Sequence, residues 1–184
     1  MIAPAFDCPD LIDRCVAGER TAWRELHALY RPQVLAFLRR LGVEAREADD
    51  ACQEIFLQVF RYLPGFERRA DFRTWLYKLC LSQAGRLRRR ARLLRPLAWL
   101  LARGERSAPP DWSPVRAHEL AEAALAMLSV REREVFVLFE LEGLPTAEIA
   151  HLLGCPAPTV RRLLHDARGK FERFVRDQPL RGSR

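Results

Sequence analysis

Apolar residues recur three and four positions apart along most of the chain, and this spacing limits what the chain can fold into. Between residues 22 and 41 a stripe of apolar residues is formed by Trp23, Leu26, Leu29, Tyr30, Val34, Phe37, Leu38 and Leu41. Side chains at such intervals share one face of an α-helix. β-branched residues are few, and no run of strand-like alternation stands out. The sequence therefore predicts an all-α protein.

Prolines divide the helical pattern into two blocks. Four of the chain's twelve prolines fall between residues 96 and 114, and clustered prolines mark a loop between periodic segments. We predict an N-terminal helical domain over residues 8–91, a linker over 92–112 and a C-terminal domain over 113–177. In the second block, two short helical segments flank a Gly-Cys-Pro turn at residues 154–156, as in a helix-turn-helix.

Particular helices can be placed within these blocks. A helix over about 47–63 has a predicted core stripe of Ala48, Ala51, Cys52, Ile55, Phe56, Val59, Phe60 and Leu63. Its other side carries Asp50, Gln53, Glu54, Leu57 and Arg61. A further helix is predicted over about 72–90. Ser129 and Glu132 have the spacing of a capping box, which predicts a helix from there to about Glu142.

Charge is unevenly distributed. Thirty-one basic residues against 24 acidic ones give a net charge of +7, which favours an anionic partner, nucleic acid before membrane. Residues 86–95 hold six arginines and no acid, whereas residues 44–54 hold five acids and one arginine. We infer one surface suited to phosphates and another suited to a basic protein, although such charge runs are also common on ordinary solvated faces.

Several classes of function lack their usual residues. The sequence has no glycine-rich phosphate loop, no H-E-x-x-H and no nucleophile elbow. Its five cysteines form no C-x-x-C pair, which predicts neither a disulfide framework nor a metal site. We expect no cofactor, no enzymatic activity, no secretory signal and no membrane insertion, and hence a cytoplasmic protein.

Two clusters of residues have chemistry suited to DNA. The second helix of a helix-turn-helix enters the major groove. In this chain it carries side chains that can contact bases or phosphates. The alternative is a surface helix of mixed charge. In residues 66–78, aromatic side chains alternate with Arg and Lys. Rings that stack on bases and cations that follow the backbone are typical of single-strand binding, although Phe72 or Trp75 could equally be core residues.

Four stretches in order carry a family pattern: LYRPQVLAFLRR at 29–40, ADDACQEIFL at 48–57, FRTWLYKL at 72–79, and EGLPTAEIA at 142–150 followed by Thr159-Val160 and Ala167-Arg168. With this pattern the chain resembles bacterial RNA polymerase sigma factors of the compact, two-domain extracytoplasmic-function (ECF) type. The resemblance spans roughly residues 10–175. It implies a protein that brings core polymerase to chosen promoters and helps to open them.

The resemblance also implies partners and site residues. Polymerase, through the clamp helices of its largest subunit, would contact Asp49, Asp50, Gln53, Glu54, Phe56 and Leu57. The melted non-template strand of the minus-ten element would contact Arg68, Arg69, Arg73, Trp75, Tyr77, Lys78, Ser82, Arg86, Arg88, Arg89 and Arg90. The minus-thirty-five duplex would contact Thr146, Thr159, Arg161, Arg162, His165, Asp166 and Arg168. An anti-sigma factor is a further implied partner.

The chain departs from the family pattern in both DNA-binding regions. Ser82 stands where the family commonly has Asn, and Arg86 stands where an Asp is expected. Pro145 replaces the usual capping Ser, so we expect Thr146 to cap the next helix. In the reading helix, residues 158–163 are PTVRRL rather than Gly-Thr-Val-basic-Ser-Arg, and Asp166 replaces a cation. These departures predict an altered minus-thirty-five preference.

Two alternatives remain open from the sequence. One is a DNA-binding regulator with no polymerase partner, which would leave the acidic helix face unexplained. The other is an interaction protein that binds polymerase or an anti-sigma factor without reading promoters. Binding to core polymerase tests the first alternative, and run-off transcription tests the second.

Overall fold

The computed structural model describes residues 9–67, 71–98 and 114–177, and the chain divides into two compact units, 1–93 and 94–184. The first unit has helices α1 Pro9–Val16, α2 Arg20–Arg40, α3 Ala45–Tyr62, a 3-10 turn Leu63–Gly65 and α4 Phe72–Ala98. The second has α5 Pro114–Ala126, α6 Val130–Phe136, a π-helical turn Val137–Leu141, α7 Thr146–Leu153 and α8 Ala157–Asp177. The described residues contain no strand, so the prediction of an all-α, two-domain protein is confirmed.

The first unit is built around α2. Its buried stripe is Ala22, Leu26, Tyr30, Val34, Phe37 and Leu38, and both α1 and α3 pack against it. Two ring contacts join α2 to α4: Tyr30 lies 5.0 Å from Phe72 and Phe37 stacks 4.5 Å from Tyr77, measured between ring centroids. Burying this apolar stripe is the main stabilising contribution, since each large side chain removed from water contributes about 1.5–3 kcal/mol.

Helix α4 is longer than the sequence pattern indicates. It continues past residue 90 to Ala98, through the beginning of the predicted linker. Apolar periodicity ends earlier because arginines occupy most positions from 86 to 92. Arginine is nevertheless a good helix former, so the helix persists after the pattern that predicts it has stopped. The rest of the predicted linker, 99–112, lies outside the described residues.

The second unit is built around α8, against which α5, α6 and α7 pack. Phe136 of α6 stacks on Phe171 of α8 with ring centroids 5.0 Å apart. The predicted capping box is confirmed, because Ser129 accepts a hydrogen bond from the Glu132 amide and Glu132 accepts one from the Ser129 amide. The helix that follows does not run unbroken to Glu142. Regular α-helix ends at Phe136 and a π-helical turn takes over.

Glu132 also connects the start of α6 to α8. Only 7% of this residue is exposed, and both of its carboxylate oxygens accept hydrogen bonds from the Lys170 ammonium, at 2.8 and 2.7 Å. Burial by itself raises the pKa of the Glu132 carboxyl, but the hydrogen bonds from Lys170 and Ser129 outweigh burial and hold that pKa below its usual value. The charged carboxylate therefore stabilises the folded unit.

We predict that this contribution depends on pH. A lowered folded-state pKa means that the stabilisation is present above the unfolded pKa of about 4.3 and is lost as the pH falls through the folded value. Glu132→Gln should lower the free energy of unfolding at pH 7 by about 1.5–3 kcal/mol, as expected for hydrogen bonds to a charged group. Thermal unfolding of the full chain from pH 7 to pH 3 measures this. The difference in free energy of unfolding between variant and wild type should shrink on acidification. A difference that stays constant would contradict the prediction.

Candidate functional site

The outward side of α3 combines carboxylates with exposed apolar side chains. Asp50, Gln53 and Glu54 are exposed, and Leu57 and Phe60 are each 62% exposed. Residues at these intervals lie on one face of a helix. We call these five residues the α3 face. An apolar centre flanked by charge is the composition of a protein-binding surface.

Packing on the opposite side of α3 fixes the direction of this face. The buried residues of the helix are Ala48, Ala51, Cys52, Ile55 and Val59. Along one edge, α2 supplies aromatic support: Trp23 lies 4.9 Å from Phe60, and His27 lies 4.5 Å from Phe56. Trp23 and His27 have no counterpart in the predicted polymerase-binding set.

Two residues of α3 differ from the simple sequence picture. The prediction that Phe60 lies in the core stripe is wrong, because the residue is 62% exposed even though its ring contacts Trp23. Asp49 is not a free carboxylate, because it forms an ion pair with Arg31 of α2 at 2.7 Å. The exposed acids of the α3 face are therefore Asp50 and Glu54.

Helix α4 presents a polar stripe. Trp75, Lys78, Ser82, Arg86 and Arg89 follow one another at intervals of three and four residues, so they share a face. Lys78, Ser82, Arg86 and Arg89 are exposed, and Trp75 is half-buried. We call these five residues the α4 stripe. It places one aromatic ring at the head of a run of cations.

An aromatic cluster lies at the start of α4. Phe66 of the preceding loop is 5.2 Å from Trp75 and 6.1 Å from Phe72, and Phe72 is 5.7 Å from Trp75. Phe72 is buried, whereas Phe66 and Trp75 are each partly exposed. From the sequence, these aromatic residues could be core residues or could stack on bases. In the structure Phe72 is a core residue, whereas Phe66 and Trp75 each expose part of a ring.

The remaining predicted minus-ten residues fall into three groups. Tyr77 is buried, stacks on Phe37 and lies beneath the Arg73 guanidinium at 5.9 Å. A base cannot stack on a ring covered in this way, so Tyr77 belongs to the core and not to the DNA-binding set. Of the other arginines, Arg90 is exposed and Arg88 is partly buried. Arg68 and Arg69 lie outside the described residues.

In the second unit, α7 and α8 form a helix-turn-helix. The turn contains Gly154 in the left-handed conformation, with φ 62°, which glycine adopts without the strain a side chain would introduce. The expected cap at Thr146 is wrong: Pro145 occupies the N-cap position without a side-chain hydrogen bond, and Thr146 is the first helical residue. Proline has no backbone N–H, so a helix that extended to residues before Pro145 would lose a hydrogen bond at this position. The helix therefore begins after Pro145.

Helix α8 buries one face and exposes the other. Val160, Leu164 and Ala167 are its buried residues. Its outward residues are Arg161, Arg162 and His165, all exposed, with Asp166 and Thr159 partly exposed. Arg162 and Asp166 form an ion pair at 3.3 Å. The predicted minus-thirty-five residues of this helix are thus gathered on one surface, apart from Arg168.

Arg168 turns toward the body of its own unit. Its Nε forms an ion pair with Glu140 at 2.5 Å, and its guanidinium lies 5.2 Å from the centre of the Phe139 ring. Both partners belong to the π-helical turn. Glu140 precedes Arg168 by 28 positions in the sequence. No local spacing in the sequence indicates such a pair, and only the packing of α8 against that turn reveals it.

A two-domain helical protein with a helix-turn-helix and cationic helix faces belongs to the class of DNA-binding transcription proteins. Two family models match the chain: Sigma-70 region 2 over residues 26–93 and Sigma-70, region 4 over residues 118–171. One match lies within each helical unit. The chain therefore belongs to the sigma-70 family, and it is an RNA polymerase sigma factor that acts in transcription initiation.

Relatives of known identity align over nearly the full chain. The RNA polymerase sigma-H factor of Pseudomonas aeruginosa is 28% identical over 92% of this chain and 93% of its own length. The ECF RNA polymerase sigma-E factor of Escherichia coli K12 is 27% identical over 92% of this chain and 94% of its own length. With the two family models, these relatives show that the chain is a sigma factor of the ECF type.

Solved structures show the same fold. CnrH in complex with the cytosolic domain of CnrY aligns with a TM-score of 0.68 at 22% identity, covering 91% of this chain and 96% of that one. The sigma factor RpoE in complex with the anti-sigma factor NepR from Bartonella quintana aligns with the same TM-score at 20% identity, covering 84% and 97%. Within the part of the chain that the structure describes, no helix is long and apolar enough to cross a membrane.

The ion pair between Arg168 and Glu140 leads to a prediction. Glu140→Gln removes the carboxylate and frees the guanidinium to neutralise one more phosphate. The log–log salt dependence of duplex binding by the polymerase-bound protein should then steepen by up to about 0.9. A salt titration measures this. The control is the Glu172→Gln variant, since Glu172 is an exposed carboxylate of α8, the helix that carries Arg168. An unchanged slope would contradict the prediction that release from Glu140 adds a phosphate contact at Arg168.

Proposed function

We propose that this sigma factor divides its work among three surfaces. The α3 face binds the clamp helices of the largest polymerase subunit. The α4 stripe, with the aromatic cluster before it, holds the melted non-template strand of the minus-ten element. The outward side of α8 reads the minus-thirty-five duplex. The observation that carries the proposal is that the exposed carboxylates Asp50 and Glu54 lie on α3, whereas the cationic faces lie on α4 and α8.

The polymerase contact is supported by the composition of the α3 face. Exposed apolar side chains at Leu57 and Phe60 would be unfavourable on a helix that stays in water, and they gain free energy when a partner covers them. Asp50 and Glu54 beside them select a partner of positive charge. A basic helical partner satisfies both requirements. Gln53 and Phe56 complete the proposed contact, and Asp49 contributes through its pair with Arg31.

The single-strand contact is supported by the order of residues along α4. Trp75 offers a partly exposed ring, and Lys78, Arg86 and Arg89 continue the same face with positive charge. A base stacked on the ring would leave its strand lying along these cations. Ser82 lies within the stripe, and Arg73, Arg88 and Arg90 flank it. Arg68 and Arg69 are proposed for the same strand from the loop before α4.

The duplex contact is supported by the exposure of α8. Its first half carries Thr159, Arg161, Arg162, His165 and Asp166, and the N-terminal half of a recognition helix is the part nearest base edges. Thr146 begins the other helix of the motif, where a hydroxyl and free backbone amides can hold a phosphate. Arg168 joins this set if its pair with Glu140 opens on binding.

Regulation by an anti-sigma factor is part of the proposal. Both solved structures with this fold that are described above are complexes, and one of them contains a protein named as an anti-sigma factor. An exposed apolar α3 face would suit such a partner as well as polymerase. We further propose domains at residues 8–91 and 113–177 joined by a linker, action in the cytoplasm without membrane insertion, and no catalytic activity, because the protein works by binding alone.

Charge reversal tests the polymerase contact. We expect the double variant Asp50→Lys and Glu54→Lys to bind core polymerase at least about tenfold more weakly, because like charges would then face each other across the interface. Promoter-specific transcription at limiting protein should fall in parallel. The measurement is a binding titration with labelled protein and purified core enzyme.

The matched control makes the same change in net charge elsewhere. Asp10→Lys and Glu172→Lys reverse two exposed carboxylates on α1 and α8 and should leave polymerase affinity within about twofold of wild type, since neither residue belongs to the α3 face. Equal loss in both double variants would show that net charge, and not the α3 face, controls binding.

Replacement of Trp75 tests the single-strand contact. Base stacking on an aromatic ring contributes about 1–3 kcal/mol, so Trp75→Ala should weaken holoenzyme binding to a single-stranded non-template minus-ten oligonucleotide by about 5- to 150-fold. Trp75→Phe should recover most of the affinity because it retains a ring, and it also controls for packing against Phe66 and Phe72. Single-strand affinity that is unchanged in the alanine variant contradicts the assignment of Trp75.

A further inference from the structure

The outward face of α8 contains a carboxylate paired with an arginine. Arg162 Nη1 lies 3.3 Å from Asp166 Oδ2, one helical turn further along. The arginine side chain is 67% exposed and the aspartate side chain 39% exposed. The pair therefore lies on the surface that we propose reads duplex DNA, and the following inference rests on that proposed function.

Helix stability does not account for this pair. Exposed ion pairs contribute little, because water screens them and both side chains lose freedom. The favourable order on a helix places the acid before the base, since each then also complements the helix dipole. Here the order is reversed, with Arg162 before Asp166. The pair is therefore better explained by a role toward a ligand than by a role in folding.

A carboxylate on a DNA-reading face also needs an explanation. Phosphates repel it, so it weakens binding unless it accepts a hydrogen bond in the complex. Two acceptor roles are available: it can accept from the amino group of a cytosine, or it can hold a neighbouring arginine in place. The two roles predict different behaviour, because the first places the carboxylate on a base and the second does not.

Geometry favours the second role. The Asp166 carboxylate is already engaged by Arg162, is the less exposed of the two groups and lies one turn further from the N-terminal end that faces base edges. Arginine has five N–H donors in a fixed plane. Bidentate recognition of guanine uses two of them, which leaves donors on the other side of the guanidinium for Asp166.

We propose that Asp166 is a positioning residue: it fixes the Arg162 guanidinium for bidentate contact with a guanine of the minus-thirty-five element, and it contacts no base itself. Arg162 is then the residue that sets specificity at that base pair. The restraint acts before DNA arrives, so the long arginine side chain loses less freedom on binding. Arg168 is not equivalent, because its pair with Glu140 points it away from this face.

Selection from a randomised minus-thirty-five element tests the proposal. The full chain is assembled with core polymerase, and transcripts from the library are sequenced. Arg162→Ala should reduce the guanine preference at one base pair by about 5- to 150-fold, the range for loss of a bidentate contact. Asp166→Asn should weaken the preference at the same base pair by about two- to fivefold, as for an exposed ion pair.

Two further variants separate positioning from direct reading. Asp166→Glu keeps a carboxylate one turn from Arg162 and should retain the guanine preference. The double variant Arg162→Ala with Asp166→Asn should match Arg162→Ala alone, because Asp166 acts only through Arg162. Glu172→Gln, a carboxylate-to-amide change further along α8, is the control and should leave every position of the preferred sequence unchanged.

Three outcomes would overturn the inference. Asp166→Asn could alter a different base pair from Arg162→Ala, which would mean that Asp166 reads a cytosine. It could sharpen the guanine preference, which would mean that the carboxylate competes with DNA for Arg162. The two effects could add in the double variant. By contrast, a wild-type protein that selects no minus-thirty-five sequence at all would refute the proposed function of α8 rather than the role of Asp166.

Discussion

Burial of one helix face is the constraint on which this protein depends. Helices in proteins are stabilised mainly by packing of an amphipathic face, so α3 and α8 persist because each packs an apolar stripe into its own unit. On α3 the buried side consists of small and branched residues, including Ala51, Ile55 and Val59. On α8 it includes Val160, Leu164 and Ala167. Each helix presents to a partner the face that remains exposed after packing. The buried face fixes the direction of this exposed face.

Specific polar contacts add orientation to this packing. Glu132 and Lys170 connect the start of α6 to α8, and Arg168 with Glu140 connects α8 to the π-helical turn. Neither pair is needed to make a helix, since α8 is long and amphipathic. Each adds a directional contact that would be lost if α8 rotated or slid along its apolar face. In the first unit, Arg31 and Asp49 join α2 to α3 in the same way. Orientation matters here because binding to DNA or protein is sensitive to small displacements of side chains.

Much of this organisation could be predicted from the sequence, and the failures have physical reasons. Periodicity and capping signals gave the helices, and the order of motifs gave the family. The prediction for Phe60 is wrong because the residue lies at the edge of the apolar stripe, where it contacts Trp23 but stays largely exposed. Tyr77 was misplaced because an aromatic residue among cations has the same pattern whether its ring is stacked on a base or on Phe37. The pairs Arg168–Glu140 and Arg31–Asp49 join residues far apart in the chain, and no local spacing encodes them.

The central claim is that protein-binding and DNA-binding surfaces lie on different helices. Site-specific photo-crosslinking in the open promoter complex tests it most directly, with a photoreactive amino acid placed at Leu57, at Lys78 or at His165 in separate proteins. The account predicts crosslinks to the largest polymerase subunit from position 57, to the non-template strand from 78 and to upstream duplex from 165. Crosslinks from position 57 to promoter DNA, or from 165 to polymerase alone, would contradict it.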